Sequence, residues 1–330
     1  MKIRMDDIQF VKKTGNNFKV SWKMTSWCNY RCPYCYMKEE VKKGNNHTPF
    51  EKVLEIASNI DNIINQQAKG RRVVLHLIGG EICYYDLIQV LEKIKSPLLK
   101  GVIFATNFSN TLDYWQKLVM YCKARGIKPN VIASFHLTQC DRNEFVEKAI
   151  KIGARVKCVV NSKNINEYRP YFEKLRKAGN RIEVTVERDF INSCEQLSGK
   201  DLEYVNELNE EMKKNSTPYF EVTMKDGRVI PFGTNIEFIN SIDVGGFDPE
   251  GFVCTAGLDG IRITQTGKLQ RAGCRHASIL NDVGNILGEY TLPTTPIICK
   301  TSEVDSKGVW KHKMCTCFGN SSMWRKDDNP

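Results

Sequence analysis

Between residues 18 and 187 the chain repeats one pattern: a short apolar run, a polar or glycine-rich break, then apolar residues at helical spacing. The runs are 18–25, 72–78, 101–106, 130–135, 155–161 and 181–187, each of strand length and bounded by turn residues. The helices between them announce their ends. Thr48, Pro49 and Glu51 form a capping box ahead of Phe50, Val53, Leu54, Ala57, Ile60 and Ile64, and Lys69-Gly70 stops that helix. Leu112, Trp115, Leu118, Val119 and Cys122 share the next apolar face, which ends at Gly126. Asp141 with Glu144 caps a third helix carrying Phe145, Ala149, Ile150 and Ile152, closed by Gly153, and 168–178 is expected to be helical too. Strands alternating with amphipathic helices predict an α/β domain built on a parallel sheet with right-handed crossovers. The pattern changes after Asn192: a polar helix around 201–213, then a hairpin of 220–224 and 228–232, then the glycine-rich Gly245-Gly246-Phe247. The expected division is an unpatterned lead-in at 1–17, a core at 18–215 and a smaller domain at 216–330.

Directly after the first run stand Cys28, Cys32 and Cys35, spaced Cys-x3-Cys-x2-Cys. Thiolates at this density bind soft metal. A structural zinc site wants four ligands, usually as two Cys-x2-Cys pairs, and no fourth Cys or His is near in sequence. Attachment of c-type haem is excluded, because Tyr36 stands where Cys-x-x-Cys-His needs histidine. Three ligands on a four-iron cluster leave one iron open to a further molecule.

Cys28, Cys32, Tyr34 and Cys35 resemble the Cys-x3-Cys-x2-aromatic-Cys motif of the radical S-adenosylmethionine (SAM) enzymes. A second motif of that family is matched by Gly79-Gly80-Glu81 at the end of the run Val73-Val74-Leu75-His76-Leu77-Ile78. The resemblance implies a [4Fe–4S] cluster on the three cysteines and SAM chelated to the open iron. Reductive cleavage to a 5′-deoxyadenosyl radical and hydrogen abstraction from a substrate carbon would follow. The two glycines are expected to let the backbone approach the ligand, and Glu81 to accept hydrogen bonds from the SAM ammonium. Tyr34, Gly79, Gly80, Glu81, Asn107, Ser134 and His136 are the cofactor-binding candidates, with a structural role the alternative for His136. The implied fold is a partial (β/α)6 TIM-like barrel, open on one side. Its active site would lie at the C-terminal strand ends, where Cys28, Glu81, Asn107 and His136 fall.

Further on, Cys254-Thr255-Ala256-Gly257, Thr266-Gly267-Lys268 and Cys274, with Cys299, Cys315 and Cys317, resemble the twitch and SPASM extensions of that family. There are departures: six residues separate Gly267 from Cys274 where four are commoner, and Ala272-Gly273 replaces the usual proline. Five cysteines are too few for two extra clusters. One auxiliary [4Fe–4S] cluster in a small β-hairpin/helix extension is expected, on Cys254, Cys274, Cys299 and Cys317, with Cys315 the spare thiol and structural zinc the alternative.

Composition removes other classes. No apolar run reaches the roughly 18 residues a membrane helix needs, and the N-terminus lacks the apolar core of a signal peptide. Thirteen cysteines without an export signal suit a reducing cytoplasm and metal binding. The net charge of +10 is spread out, without an aromatic-interleaved basic block, so a solvated surface is expected rather than nucleic-acid binding. Cys122 and Cys158 sit at apolar-face positions and read as core; Cys140 is the candidate hydrogen-atom donor and Glu187 a candidate acid or base. An electron donor such as flavodoxin or ferredoxin is implied. The resemblance points first to peptide or protein maturation. About seventeen residues precede the first run, leaving no room there for a winged leader-binding domain. That keeps dehydrogenation or rearrangement of a sugar, aminocyclitol or nucleotide as the alternative. A non-enzymatic electron-transfer or sensor protein would leave Gly79-Gly80-Glu81 unexplained.

Overall fold

Alternate residues in each run are buried, and this period of two decides which face of the sheet is covered. The computed structural model describes residues 3–35, 37, 41, 47–186, 197, 199–214, 220–232, 252–271, 282–298 and 323–325. It opens with β1 (Ile8–Lys13), followed by β2 (Phe18–Thr25), α1 (Phe50–Gln67), β3 (Val73–Gly79), α2 (Leu87–Glu92) and β4 (Leu99–Thr106). Then come α3 (Leu112–Ala124), β5 (Lys128–Phe135), α4 (Arg142–Ile152), β6 (Arg155–Val160), α5 (Ile165–Lys177), β7 (Ile182–Val186) and α6 (Gly199–Lys214). The chain divides into two compact units, one of Trp22–Ala57 and Leu75–Ser216, the other of Met1–Ser21, Ser58–Val74 and Thr217–Pro330.

In the first unit the strands run in sequence order, β2-β3-β4-β5-β6-β7, and β4 to β7 are parallel. Sequential order with right-handed crossovers puts every connecting helix on one face. Aromatic contacts mark that face: Phe104 meets Trp115 of α3, and Phe135 meets Phe145 of α4 and Tyr168 of α5. The alternate residues Ile103, Ala105, Ile132, Ser134, Lys157 and Glu183 stand half-buried on the other face. A sheet covered on one face is the wall of an open barrel rather than a doubly wound sheet. At the β7 edge, Asn209 of α6 accepts from Val184 N and donates to Val184 O, both at 3.0 Å. This side chain occupies the free strand edge.

Some boundaries differ from the sequence expectation. Helix α2 is too short for periodicity to show; it is set by Asp86, whose carboxylate accepts from Ile88 N and Gln89 N. Helix α5 starts at Ile165 and carries Pro170 inside it, because Asn161 accepts from Lys163 N and Asn164 N and so builds the turn ahead of the proline.

In the second unit, β8 (Phe220–Met224), β9 (Val229–Phe232), β10 (Phe252–Cys254), β14 (Ile297–Ile298) and β15 (Met323–Arg325) join β1 in the order β14-β10-β15-β1-β8-β9. The strand pairs are antiparallel. The expected hairpin is β8–β9, with Gly227 at φ 85° in its turn. Strand β1 was expected to be unpatterned. A register shift between Ile8 and Phe10 breaks its alternation, so Ile8 and Val11, three apart, are the residues that reach the core. A second set, β11 (Gly260–Ile263), β12 (Lys268–Gln270) and β13 (Asp282–Asn285), forms an antiparallel meander. Residues at and after the end of α1 fasten this unit: buried Gln67 donates to Gly257 O and Pro293 O, and Arg71 pairs with Asp259.

Candidate active site

The ladder between β2 and β3 continues past both strands. Thr25 O accepts from Gly80 N at 2.9 Å, and Trp27 O accepts from Glu81 N at 2.7 Å. Gly79 has φ 150°, and a Cβ there would lie 2.3 Å from Thr25 O; one on Gly80 would lie 1.8 Å from Trp27 O. The glycines therefore let the chain approach its own backbone just ahead of Cys28. What they secure is the origin of the cysteine loop.

Glu81 is 2% exposed, and its carboxylate is held from three directions. Oε1 accepts from Cys83 N at 3.0 Å and from Thr106 Oγ1 at 2.7 Å, while Oε2 accepts from Asn107 N at 2.7 Å. Burial pushes this carboxyl above its ordinary value, and these donors, with the Cys83 thiol, oppose that shift. Asn107 in turn donates through Nδ2 to Asn29 Oδ1 at 2.7 Å, with Cys28 Sγ 3.7 Å away. The turn after β4 is unusual: Phe108 has φ 62°, rare for a bulky residue. Buried Lys148 of α4 holds it, donating to Phe108 O at 3.1 Å and Asn110 O at 2.9 Å. Lys148 and Thr106 were not among the sequence candidates. A charged residue three positions after Phe145, on the apolar face of α4, was the available signal for Lys148.

The cysteine loop is met from the far side by His136, which follows β5. Its Nδ1 lies 2.7 Å from Tyr34 Oη and 3.4 Å from Cys32 Sγ. Tyr34 stacks on the imidazole with centroids 5.8 Å apart, and Tyr30 meets it edge-on. Burial drives the His136 pKa down to about 4, so the ring is neutral. Cys28 Sγ also accepts from Tyr30 N at 3.4 Å. Burial, then the neighbouring Cys28 and Cys35, pushes the Cys32 thiol up to about 11, and burial raises Cys28 as well. Thiolates in this position need a bound cation. Cys28, Cys32 and Cys35 are all free thiols. Among the described residues no three His, Cys, Asp or Glu side chains converge on a single metal ion. A four-iron cluster instead takes each thiolate on its own iron, so the donor set fits that group.

Cys140 lies in the same turn as His136 and donates to its carbonyl at 3.3 Å. Ser134 is the penultimate residue of β5, on the half-buried sheet face and in register with Lys157. Cys122 and Cys158 are buried in the core. Cys254 is buried at the end of β10. Glu187, Cys274, Cys299, Cys315 and Cys317 lie outside the described residues. No helix among the described residues is long and apolar enough to cross a membrane.

A family model described as the Radical SAM superfamily matches residues 22–215. An S-adenosylmethionine-dependent nucleotide dehydratase of Psychrobacter lutiphocae is 32% identical over 96 residues, which are 27% of this chain. The match spans about a third of that relative's length, 32%. Among solved structures, Streptococcus suis SuiB bound to the precursor peptide SuiA gives a TM-score of 0.45 at 13% identity, covering 78% of this chain and 59% of that one. BtrN in complex with AdoMet and 2-DOIA gives 0.35 at 14% identity, covering 81% and 77%.

Proposed function

Because this chain belongs to the radical SAM superfamily and is an enzyme, we propose that Cys28, Cys32 and Cys35 hold a [4Fe–4S] cluster. Its open iron would take SAM. The observation that carries this is the convergence on one loop of Asn107, itself held by Glu81, at Cys28 and of His136 at Cys32. When bound, the cluster supplies the electron that cleaves SAM, and the radical so formed removes hydrogen from a substrate carbon. The residues of the chain bind and orient. Glu81 fixes Asn107, its oxygens held by Cys83, Thr106 and Asn107, and its negative charge would attract the SAM ammonium. Tyr34 and His136 wall the loop from the β5 side.

For the substrate we infer a peptide or protein, supported by the Cys-x-Ala-Gly segment at Cys254 and the cysteines that follow it. These would carry one auxiliary [4Fe–4S] cluster, in a twitch-like extension of the partial barrel. A cytoplasmic flavodoxin or ferredoxin would supply the electrons. A second reading, a small molecule such as a nucleotide, is supported by the dehydratase relative.

Anaerobically reconstituted protein given dithionite and SAM is expected to yield 5′-deoxyadenosine, and Cys32→Ala to yield none; unchanged product from that variant sinks the assignment. In a Cys28/Cys32/Cys35 triple-alanine variant about four irons should remain per chain, as one [4Fe–4S] cluster requires. Further loss of Cys254 should remove them, and zinc in their place would refute the auxiliary cluster.

A further inference from the structure

We propose that His136 is a positioning residue for the cluster: its Nδ1–H donates to the sulfur of Cys32 and raises the reduction potential of the group that sulfur binds. This deepens the reading above and rests on it.

The argument is one of proton order. Nδ1 faces both Cys32 Sγ, at 3.4 Å, and Tyr34 Oη, at 2.7 Å. An iron-bound cysteine has no proton to give, so this contact is attractive only if the ring carries its proton on Nδ1. Tyr34 allows that, because its hydroxyl has partners besides Nδ1, the hydroxyl of Tyr168 and the sulfur of Cys32. Tyr168 spends its own proton on Phe135 O, at 3.0 Å. With its proton directed to Tyr168 or to the Cys32 sulfur, Tyr34 offers its oxygen to Nδ1–H, and that same N–H faces Cys32. The reverse order would have Tyr34 donate to a bare Nδ1 and turn that nitrogen's lone pair toward a thiolate.

The ring is also fixed beyond what a core histidine requires. Tyr34 stacks on one face, Tyr30 meets it at 87°, and its carbonyl accepts from the Cys140 thiol. An N–H donor that withdraws charge from a ligating sulfur stabilises the more negative, reduced cluster, and a ring this constrained makes the effect reproducible.

The test uses the reconstituted holoprotein and an EPR-monitored redox titration of the cluster whose signal changes when SAM is added. His136→Leu should move that midpoint negative, by about tenfold in the one-electron equilibrium, or ~59 mV. His136→Asn, whose amide nitrogen falls near the place of Nδ1, should recover most of the wild-type value. A His136→Leu protein with full iron and an unmoved midpoint overturns the proposal. Should that variant load no iron, pulsed EPR on wild-type protein labelled with [15N]histidine decides. A nitrogen coupling that is lost in His136→Asn supports the bond, and its absence in wild type overturns it. Wild-type protein that assembles no SAM-responsive cluster overturns the functional reading and this inference together. An intact SAM reaction with an unmoved potential removes the inference alone.

Discussion

At the scale of single residues, Glu81 and Lys148 show how a site can be set by groups that face inward. Glu81 uses its two oxygens on opposite tasks, Oε1 toward Cys83 N and Thr106 Oγ1, and Oε2 toward Asn107 N. Glutamine can serve only one of these sides, since its amide nitrogen is a donor. Glu81→Gln should keep the cluster but leave a buried N–H group facing another donor. It should weaken SAM binding by about 1.5–3 kcal/mol, the range for a charge-assisted hydrogen bond, roughly 10- to 100-fold by equilibrium titration. Unaltered SAM affinity would mean that the carboxylate serves the loop only. Lys148→Met keeps the length and apolar stem but removes the donor from two carbonyls of the Phe108 turn. A loss of about 2 kcal/mol in urea unfolding is expected, with poorer cluster loading because Asn107 is no longer fixed. A variant as stable and as well loaded as wild type would show that the turn holds itself.

Among the elements, the decisive contact is the one between the ends of β2 and β3. Gly80 allows an approach that no side chain permits, because the atom a Cβ would meet is a backbone oxygen, which cannot swing away. Gly80→Ala should therefore cost about 3 kcal/mol or more and abolish iron binding by Cys28, Cys32 and Cys35 while leaving all three in place. Iron content and thermal unfolding measured side by side check this; normal iron in Gly80→Ala would contradict the account of the loop's origin. The β7 edge illustrates a second kind of element-level control, in which one asparagine of α6 substitutes for a missing strand.

On the scale of the whole molecule, the chain's first strand belongs with its last. β1 lies between β15 and β8, so residues from both ends of the sequence build one sheet and one core. Deleting residues 1–17 removes the centre of that sheet together with buried Ile8 and Val11. Burying two such side chains is worth about 3–6 kcal/mol. Limited proteolysis of the truncated protein should accordingly cut within 217–330 first, while 75–216 resists. Equal resistance across the chain would show that the sheet does not depend on β1.

What the sequence determined by itself was local chemistry and period. The spacing of Cys28, Cys32 and Cys35, the Gly79-Gly80-Glu81 triplet, the capping at Asp141, and the alternation through 18–186 are short-range patterns. Such patterns survive in one dimension because each depends on neighbours a few residues away. Tertiary structure decided what those residues touch. Gly79 and Gly80 close on Thr25 O and Trp27 O, and Glu81 turns to Asn107 across 26 positions of sequence. His136 reaches Cys32 across 104. Strand β1 stayed hidden for a related reason: its bulge cancels the period of two, and only its partner strands, more than two hundred residues away, reveal it. Contacts between distant segments depend on how the whole sheet curves and registers, and no local pattern encodes that.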